Sequence, residues 1–144
     1  MERILILLGG VAVILMLLFI SAQPETKPTD YLQHQVAAPD EDWFQTNVVA
    51  PDKLVVVDFS ADWCGPCRAL APLLHDLENE YADQIELVEI DVDDHPELAS
   101  HYKVNGIPLV LVMHKGAVVD GRTGFVDYSD LEKMVKPHFD LLQN

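Results

Sequence analysis

Cysteine is scarce in this chain: there are two in 144 residues, both within "FSADWCGPCRAL", residues 59–70. That excludes a framework of several disulfides, and it excludes a four-cysteine zinc site. The histidines His34, His75, His95, His101, His114 and His138 stand at no spacing that would complete a metal site. Positive charge is scarce too, with nine Lys and Arg against 24 Asp and Glu, for a formal net charge of −15. No basic patch exists, so nucleic acid is not an expected partner, and anionic lipid head groups should be repelled. Internal repeats are absent, and so is any flavin or nucleotide motif. No cofactor and no metal are therefore expected. The length suits a single domain with a real core, and the acidic surface suits a monomer.

Apolar residues are unevenly placed. Residues 4–20, "ILILLGGVAVILMLLFI", carry no charge. As a helix, this run spans roughly 25 Å. The hydrocarbon core of a bilayer is about 30 Å thick, so the run is near the short end of a spanning helix, and Ser21 and Ala22 extend it. A cleaved signal peptide is the alternative, with "ISA" ending at Ala22 as its site. The run is longer than the usual apolar region of about 7–15 residues, which favours an uncleaved anchor. Residues 1–22 are then a membrane anchor, 23–30 a polar tether, and 31–144 the folded domain. Arg3 and the α-amino group favour a cytoplasmic N-terminus, although Glu2 dilutes that signal. The domain would then face an oxidising, extracytoplasmic compartment, where cysteine pairs persist as disulfides. Secretion after cleavage is the alternative location.

Within the domain, two periodicities alternate. "YLQHQVA", 31–37, reads as a short edge strand. "PDEDWFQTNVV" reads as a short helix started by Asp40 or nearby acids. "KLVVVDFS" is apolar on both faces except at Asp58, the pattern of a central strand. From Cys64 to about Tyr81 the spacing of Leu70, Leu73, Leu74, Leu77 and Tyr81 predicts a helix, with Pro72 inside it as a kink. "IELVEIDV" predicts a second central strand, and "DHPELASHY" a short helix with Pro96 in its first turn. "PLVLVMH" and "AVVDGRT", joined by Lys115 and Gly116, predict an antiparallel hairpin. A last helix is expected from Ser129, capped together with Glu132, with Leu131, Met134 and Val135 buried and Pro137 interrupting it. This order implies an α/β fold with a mixed, mostly parallel central sheet flanked by helices.

The two thiols admit three uses. Half a zinc site finds no other ligands, and a staple over three positions closes too small a loop to stabilise much. The redox reading has a mechanism. Cys64 opens a helix, where unpaired N–H groups and the helix dipole favour a thiolate. Gly65 and Pro66 supply the turn, and Cys67, one turn on, faces the same way and can close a disulfide. Cys64 should be the exposed nucleophile and Cys67 the more buried resolving thiol.

These residues resemble the thioredoxin family. "WCGPC" is similar to its active-site sequence. "VVDF" at 56–59 is similar to the strand whose buried aspartate precedes the first cysteine by six positions. Pro72, "GIP" at 106–108, Gly116 and Gly124 match further positions without a gap from Asp58, and the likeness covers about residues 31–142. It implies a thioredoxin fold and a set of roles. Cys64 would attack a substrate disulfide, and Cys67 would resolve the mixed disulfide. Asp58 would help remove the Cys67 proton. Pro108 would be cis and present the backbone of Ile107 to a substrate strand. Trp63, Gly65, Pro66, Ile107, Pro108 and Gly124 would form an apolar groove for protein disulfide substrates.

Three positions depart from the family. Glu89 stands where a lysine is usual beside the buried aspartate. If it faces Asp58, two carboxylates share a low-dielectric region and one should hold its proton to near neutrality or above. Ser60 replaces a common tryptophan and Leu109 a common threonine, both expected near the disulfide. An extra segment found in many membrane-tethered relatives has no room here, which favours a plain domain on a tether. "GP" between the cysteines and Ile107 before the proline resemble the reducing branch. The favoured function is therefore a membrane-anchored, extracytoplasmic reductant of protein disulfides, supplied with electrons by a membrane donor. A disulfide oxidase or isomerase, and a tethered non-enzymatic assembly module, are the alternatives.

Overall fold

The computed structural model describes residues 37–143. The expected span at 4–20, the tether at 23–30 and all but Ala37 of the expected edge strand lie outside the described residues. Among the described residues, no helix is long and apolar enough to cross a membrane.

The chain begins with α1, Asp42–Phe44, which runs on as a π-helical turn at Gln45–Val49. Its N-cap is Glu41 and Asp42 lies in its first turn, so the acids next to Asp40 stand at its start as expected, although the Glu41 side chain makes no capping bond. Then follow β1 (Leu54–Ser60), α2 (Gly65–Glu80), β2 (Ile85–Asp91), α3 (Pro96–His101), β3 (Leu109–His114) and β4 (Ala117–Thr123). Helix α4 (Tyr128–Val135) passes into a 3₁₀ helix at Lys136–Gln143, so Pro137 tightens the helix rather than ending it.

The sheet order is β2-β1-β3-β4. Strand β1 is central, which explains why it is apolar on both faces. Val55, Val57 and Phe59 point into one core layer with Phe44, Val48 and Leu98 of α1 and α3. Leu54 and Val56 point into the other, with Leu70, Leu74 and Leu77 of α2 and Leu131 and Met134 of α4. Full burial of such aliphatic side chains stabilises by roughly 1.5–3 kcal/mol each. By the strand's period of two, Asp58 falls on the α2 face. It is the one buried charged residue among the described residues.

Only β1–β2 is parallel; β1–β3 and β3–β4 are antiparallel. The sheet is thus mixed, and the expectation that it is mostly parallel does not hold for the described strands. The short α3 goes with this arrangement. Its six residues span roughly 9 Å as a helix, whereas a strand of that length spans roughly 20 Å. Helix α3 does not carry the chain back along the sheet, and Leu109 enters beside Phe59 at the same end where β1 and β2 finish, so β3 runs antiparallel to them.

The hairpin is as expected. Lys115 and Gly116 both have positive φ, 50° and 79°, the pairing a two-residue type I′ turn requires. A Cβ on Gly116 would lie 2.9 Å from Val49 Cγ2 and 3.0 Å from Ala38 Cβ. The cap of α4 differs from expectation. Asp127, not Ser129, is the N-cap and accepts the Asp130 N–H at 2.9 Å. Ser129 only donates to Asp127, at 3.0 Å. Glu132 turns instead to the Tyr81 hydroxyl at 2.6 Å, which ties α4 to the end of α2.

Candidate active site

Strand β1 ends at Ser60, and α2 begins five residues later. The loop between them delivers Cys64 to the N-cap of α2 in extended conformation, with Gly65 and Pro66 opening the first turn. Cys64 and Cys67 are joined as a disulfide with their Cα atoms 5.3 Å apart. The Cys67 N–H donates to Cys64 Sγ at 3.2 Å. A helix N-terminus thus aims a donor at the first sulfur, the arrangement that favours negative charge there once the disulfide opens.

The expected contrast in exposure is not found. Cys64 is 5% exposed and Cys67 3%. Both pack with Ala61 under Val92 and Ile107, and this apolar cover closes over the bonded pair.

Pro108 follows a cis peptide bond from Ile107 and is buried. Its carbonyl accepts the Gly124 N–H at 2.7 Å, which ties the loop before β3 to the turn after β4. Gly124 has φ +91°, and a Cβ there would meet nothing within 4 Å. Ile107, Pro108 and Gly124 are therefore brought together beside the disulfide. Trp63 lies at 68% exposure and is not packing. Its indole N–H donates to Asp93 Oδ2 at 2.7 Å. Asp93 escaped the sequence reading because "DVDDHP" looks like an ordinary acidic loop. Phe125 escaped as well: it is exposed next to Gly124, and only its unmatched apolar character hinted at it.

Asp58 is 1% exposed, and its Oδ1 has no hydrogen-bond partner. A cavity of about 160 Å³ opens there, lined among others by Asp58, Cys67 and Glu89. The register pairs Asp58 with Glu89 across β1–β2, so both side chains leave the same face of the sheet. Burial first, and the charge of Glu89 second, push the Asp58 carboxyl up from 3.8 to about 7, against a hydrogen bond from Ser60 that lowers it. Glu89 does influence Asp58, as the sequence implied, yet its head also reaches solvent and lies 3.7 Å from His75 Nε2. Ser60 acts on Asp58 by that hydrogen bond. Leu109 does not reach the groove: it is fully buried in the layer opposite α2, with Phe59 and Phe44. Among the described residues, no group of three or more His, Cys, Asp or Glu is placed to hold a metal ion.

A family profile described as Thioredoxin matches residues 35–137. Among similar proteins, mitochondrial thioredoxin of Bos taurus is 42% identical over 93 residues, covering 65% of this chain and 56% of that protein. Thioredoxin of Bacillus subtilis (strain 168) is 42% identical over 85 residues, covering 59% of this chain and 82% of that protein. Thioredoxin of Chlorobaculum thiosulfatiphilum is 36% identical over 95 residues, covering 66% of this chain and 88% of that protein. The chain thus spans little more than half the length of the mitochondrial relative.

Proposed function

This chain belongs to the thioredoxin family, whose members are protein-disulfide oxidoreductases, and from that premise we propose that it reduces protein disulfides on the extracytoplasmic side of a membrane. The observation that carries the chemistry is the Cys64–Cys67 disulfide at the N-terminus of α2, with the buried Asp58 carboxyl in the cavity behind Cys67.

In the reduced protein, the Cys64 thiolate attacks one sulfur of a substrate disulfide. The S–S bond breaks, and one substrate thiolate leaves and takes a proton from solvent. The Cys67 thiol then gives its proton toward Asp58 and attacks Cys64 Sγ. The mixed disulfide breaks, the second substrate thiolate leaves, and the protein is oxidised as the substrate is reduced. Trp63, Gly65, Pro66, Ile107, Pro108 and Gly124 form the groove for the substrate strand, whose backbone pairs with that of Ile107.

The anchor reading of residues 4–20 supports the location, and a sequence without a flavin or nucleotide motif fits an external electron source. A membrane donor returns two electrons to Cys64 and Cys67 after each cycle, and the protein works as a monomer. One experiment tests both parts: trapping the thiols of the full chain in cells fractionated into membrane and soluble pools, alongside its reduction potential. A membrane-bound chain, mainly reduced, with a potential near the about −270 mV of thioredoxins is expected. A soluble pool would overturn the anchor. A disulfide-bonded steady state at a much higher potential would overturn the direction in favour of an oxidase.

A further inference from the structure

Asp58 is 1% exposed and meets solvent only through the cavity it lines, so a proton it receives from Cys67 must leave by way of that cavity. We propose that Glu89 and His75 form that outlet, an inference that rests on the oxidoreductase reading above. Glu89 is the Cα partner of Asp58 on the neighbouring strand and lines the same cavity. A polar cavity of about 160 Å³ accommodates water that could bridge the two carboxylates. Glu89 also reaches outward: its side chain is 46% exposed, and Oε2 lies 3.7 Å from Nε2 of His75 on α2, itself 51% exposed. One side chain therefore touches both the cavity that Asp58 lines and an imidazole in contact with bulk water. Histidine is the residue type suited to passing protons near neutrality.

Other polar groups stand around Asp58 as well. Asp62 and Arg68 line the cavity, but the Arg68 guanidinium is held by the Asp62 carbonyl at 2.7 Å. Asp91 accepts the backbone N–H of Asp93 at 2.8 Å. Strand β3 places only Val110 opposite Asp58. Ser60 hydrogen-bonds Asp58 and can pass a proton only by giving up its own.

The step balances without a further reactant. The Cys67 proton moves to Asp58 as the Cys67–Cys64 bond forms and the substrate thiolate leaves. Asp58 passes the proton through the cavity to Glu89, Glu89 passes it by way of one bridging water to His75, 3.7 Å away, and His75 releases it to solvent. The departed thiolate takes up one proton from the same solvent, so none is gained or lost. Glu89 and His75 touch neither substrate nor the reacting sulfurs. They act through Asp58.

The test is a single-turnover measurement on the reduced full chain with a small disulfide peptide, comparing Glu89→Gln and His75→Gln with the parent in dilute buffer and with added imidazole. The E89Q chain is expected to resolve the mixed disulfide roughly 10-fold more slowly, with most of the rate restored by imidazole. The H75Q chain should be slowed less and restored likewise, and the parent should be insensitive to imidazole. An E89Q chain as fast as the parent, or one slowed without response to imidazole, overturns the outlet; the second result would leave Glu89 a purely electrostatic neighbour. Formation of the mixed disulfide by the parent is read separately. A parent that forms none refutes the oxidoreductase reading, and the outlet falls with it.

Discussion

The backbone N–H of Cys67 points at Cys64 Sγ across 3.2 Å, from the first turn of the helix that Cys64 caps. The two sulfurs are therefore not equivalent, although both residues are buried. The donor and the helix terminus serve Cys64, whereas Cys67 backs onto the cavity that holds Asp58.

Reduced protein given limiting iodoacetamide near neutral pH should be alkylated at Cys64 first, by roughly 10-fold or more over Cys67. Peptide mapping by mass spectrometry reads the ratio. Equal labelling would contradict the assignment of Cys64 as nucleophile.

Asp58 makes stability depend on pH in a direction unusual for a carboxylate. Its folded value, about 7, lies above its unfolded value of 3.8. Between the two, the folded state binds more protons than the unfolded state, so stability falls as pH rises through that window and stays lower above it. Three units correspond to on the order of 4 kcal/mol. Asp58→Asn should match the parent at about pH 4 and exceed it by a few kcal/mol at about pH 8.5. Urea unfolding at both pH values measures this, and a gap that does not grow with pH would refute it.

The same carboxyl accepts a proton only when ionised, a fraction that rises as pH passes about 7. Resolution of the mixed disulfide should accelerate through that range in the parent, and Asp58→Asn should be slower by roughly 10-fold or more with this inflection gone. Stopped-flow tryptophan fluorescence of Trp63 and Trp43 follows the step. An unchanged inflection in the variant would assign it to another group.

Asp127→Ala should lower the melting midpoint by roughly 5 °C, because it removes the side chain that accepts the Asp130 N–H. Ser129→Ala should change it far less, since that hydroxyl serves only Asp127. Circular dichroism melts of the two variants separate these outcomes, and the reverse order would restore Ser129 as the cap.

Gly116→Ala and Gly124→Ala both place a side chain at positive φ, at a cost of roughly 1–2 kcal/mol. Only Gly116 also meets neighbours, at 2.9 Å and 3.0 Å. Its variant should be clearly the less stable of the two in urea. Equal losses would mean that Val49 and Ala38 move aside.

Elements with a strong local signature were legible in the sequence. The strands at Leu54–Ser60, Ile85–Asp91, Leu109–His114 and Ala117–Thr123 fall where alternation and β-branched residues place them. Helix α2 and the Lys115–Gly116 turn follow from spacing and from the one residue that tolerates φ +79°. Elements where two local signals compete were not legible. Asp127 and Ser129 are both good caps, but Asp127 has the extended backbone of an N-cap, φ −77° and ψ 166°, whereas Ser129 lies inside the helix. The direction of β3 was not legible because α/β alternation usually returns the chain, whereas here the connection around the six-residue α3 re-enters the sheet at the end where β2 finishes.

By itself, the sequence determined the pairing of two thiols one helical turn apart, a strand before them, a helix after them and one acid that an apolar strand must bury. These depend on neighbours along the chain, which pattern and propensity report. Only the tertiary structure decided that Glu89 stands beside Asp58, that His75 meets Glu89 from the helix above, that Pro108 and Gly124 join, and that both cysteines lie covered while bonded. Register, burial and electrostatic coupling depend on residues tens of positions apart and are set when strands and helices pack together.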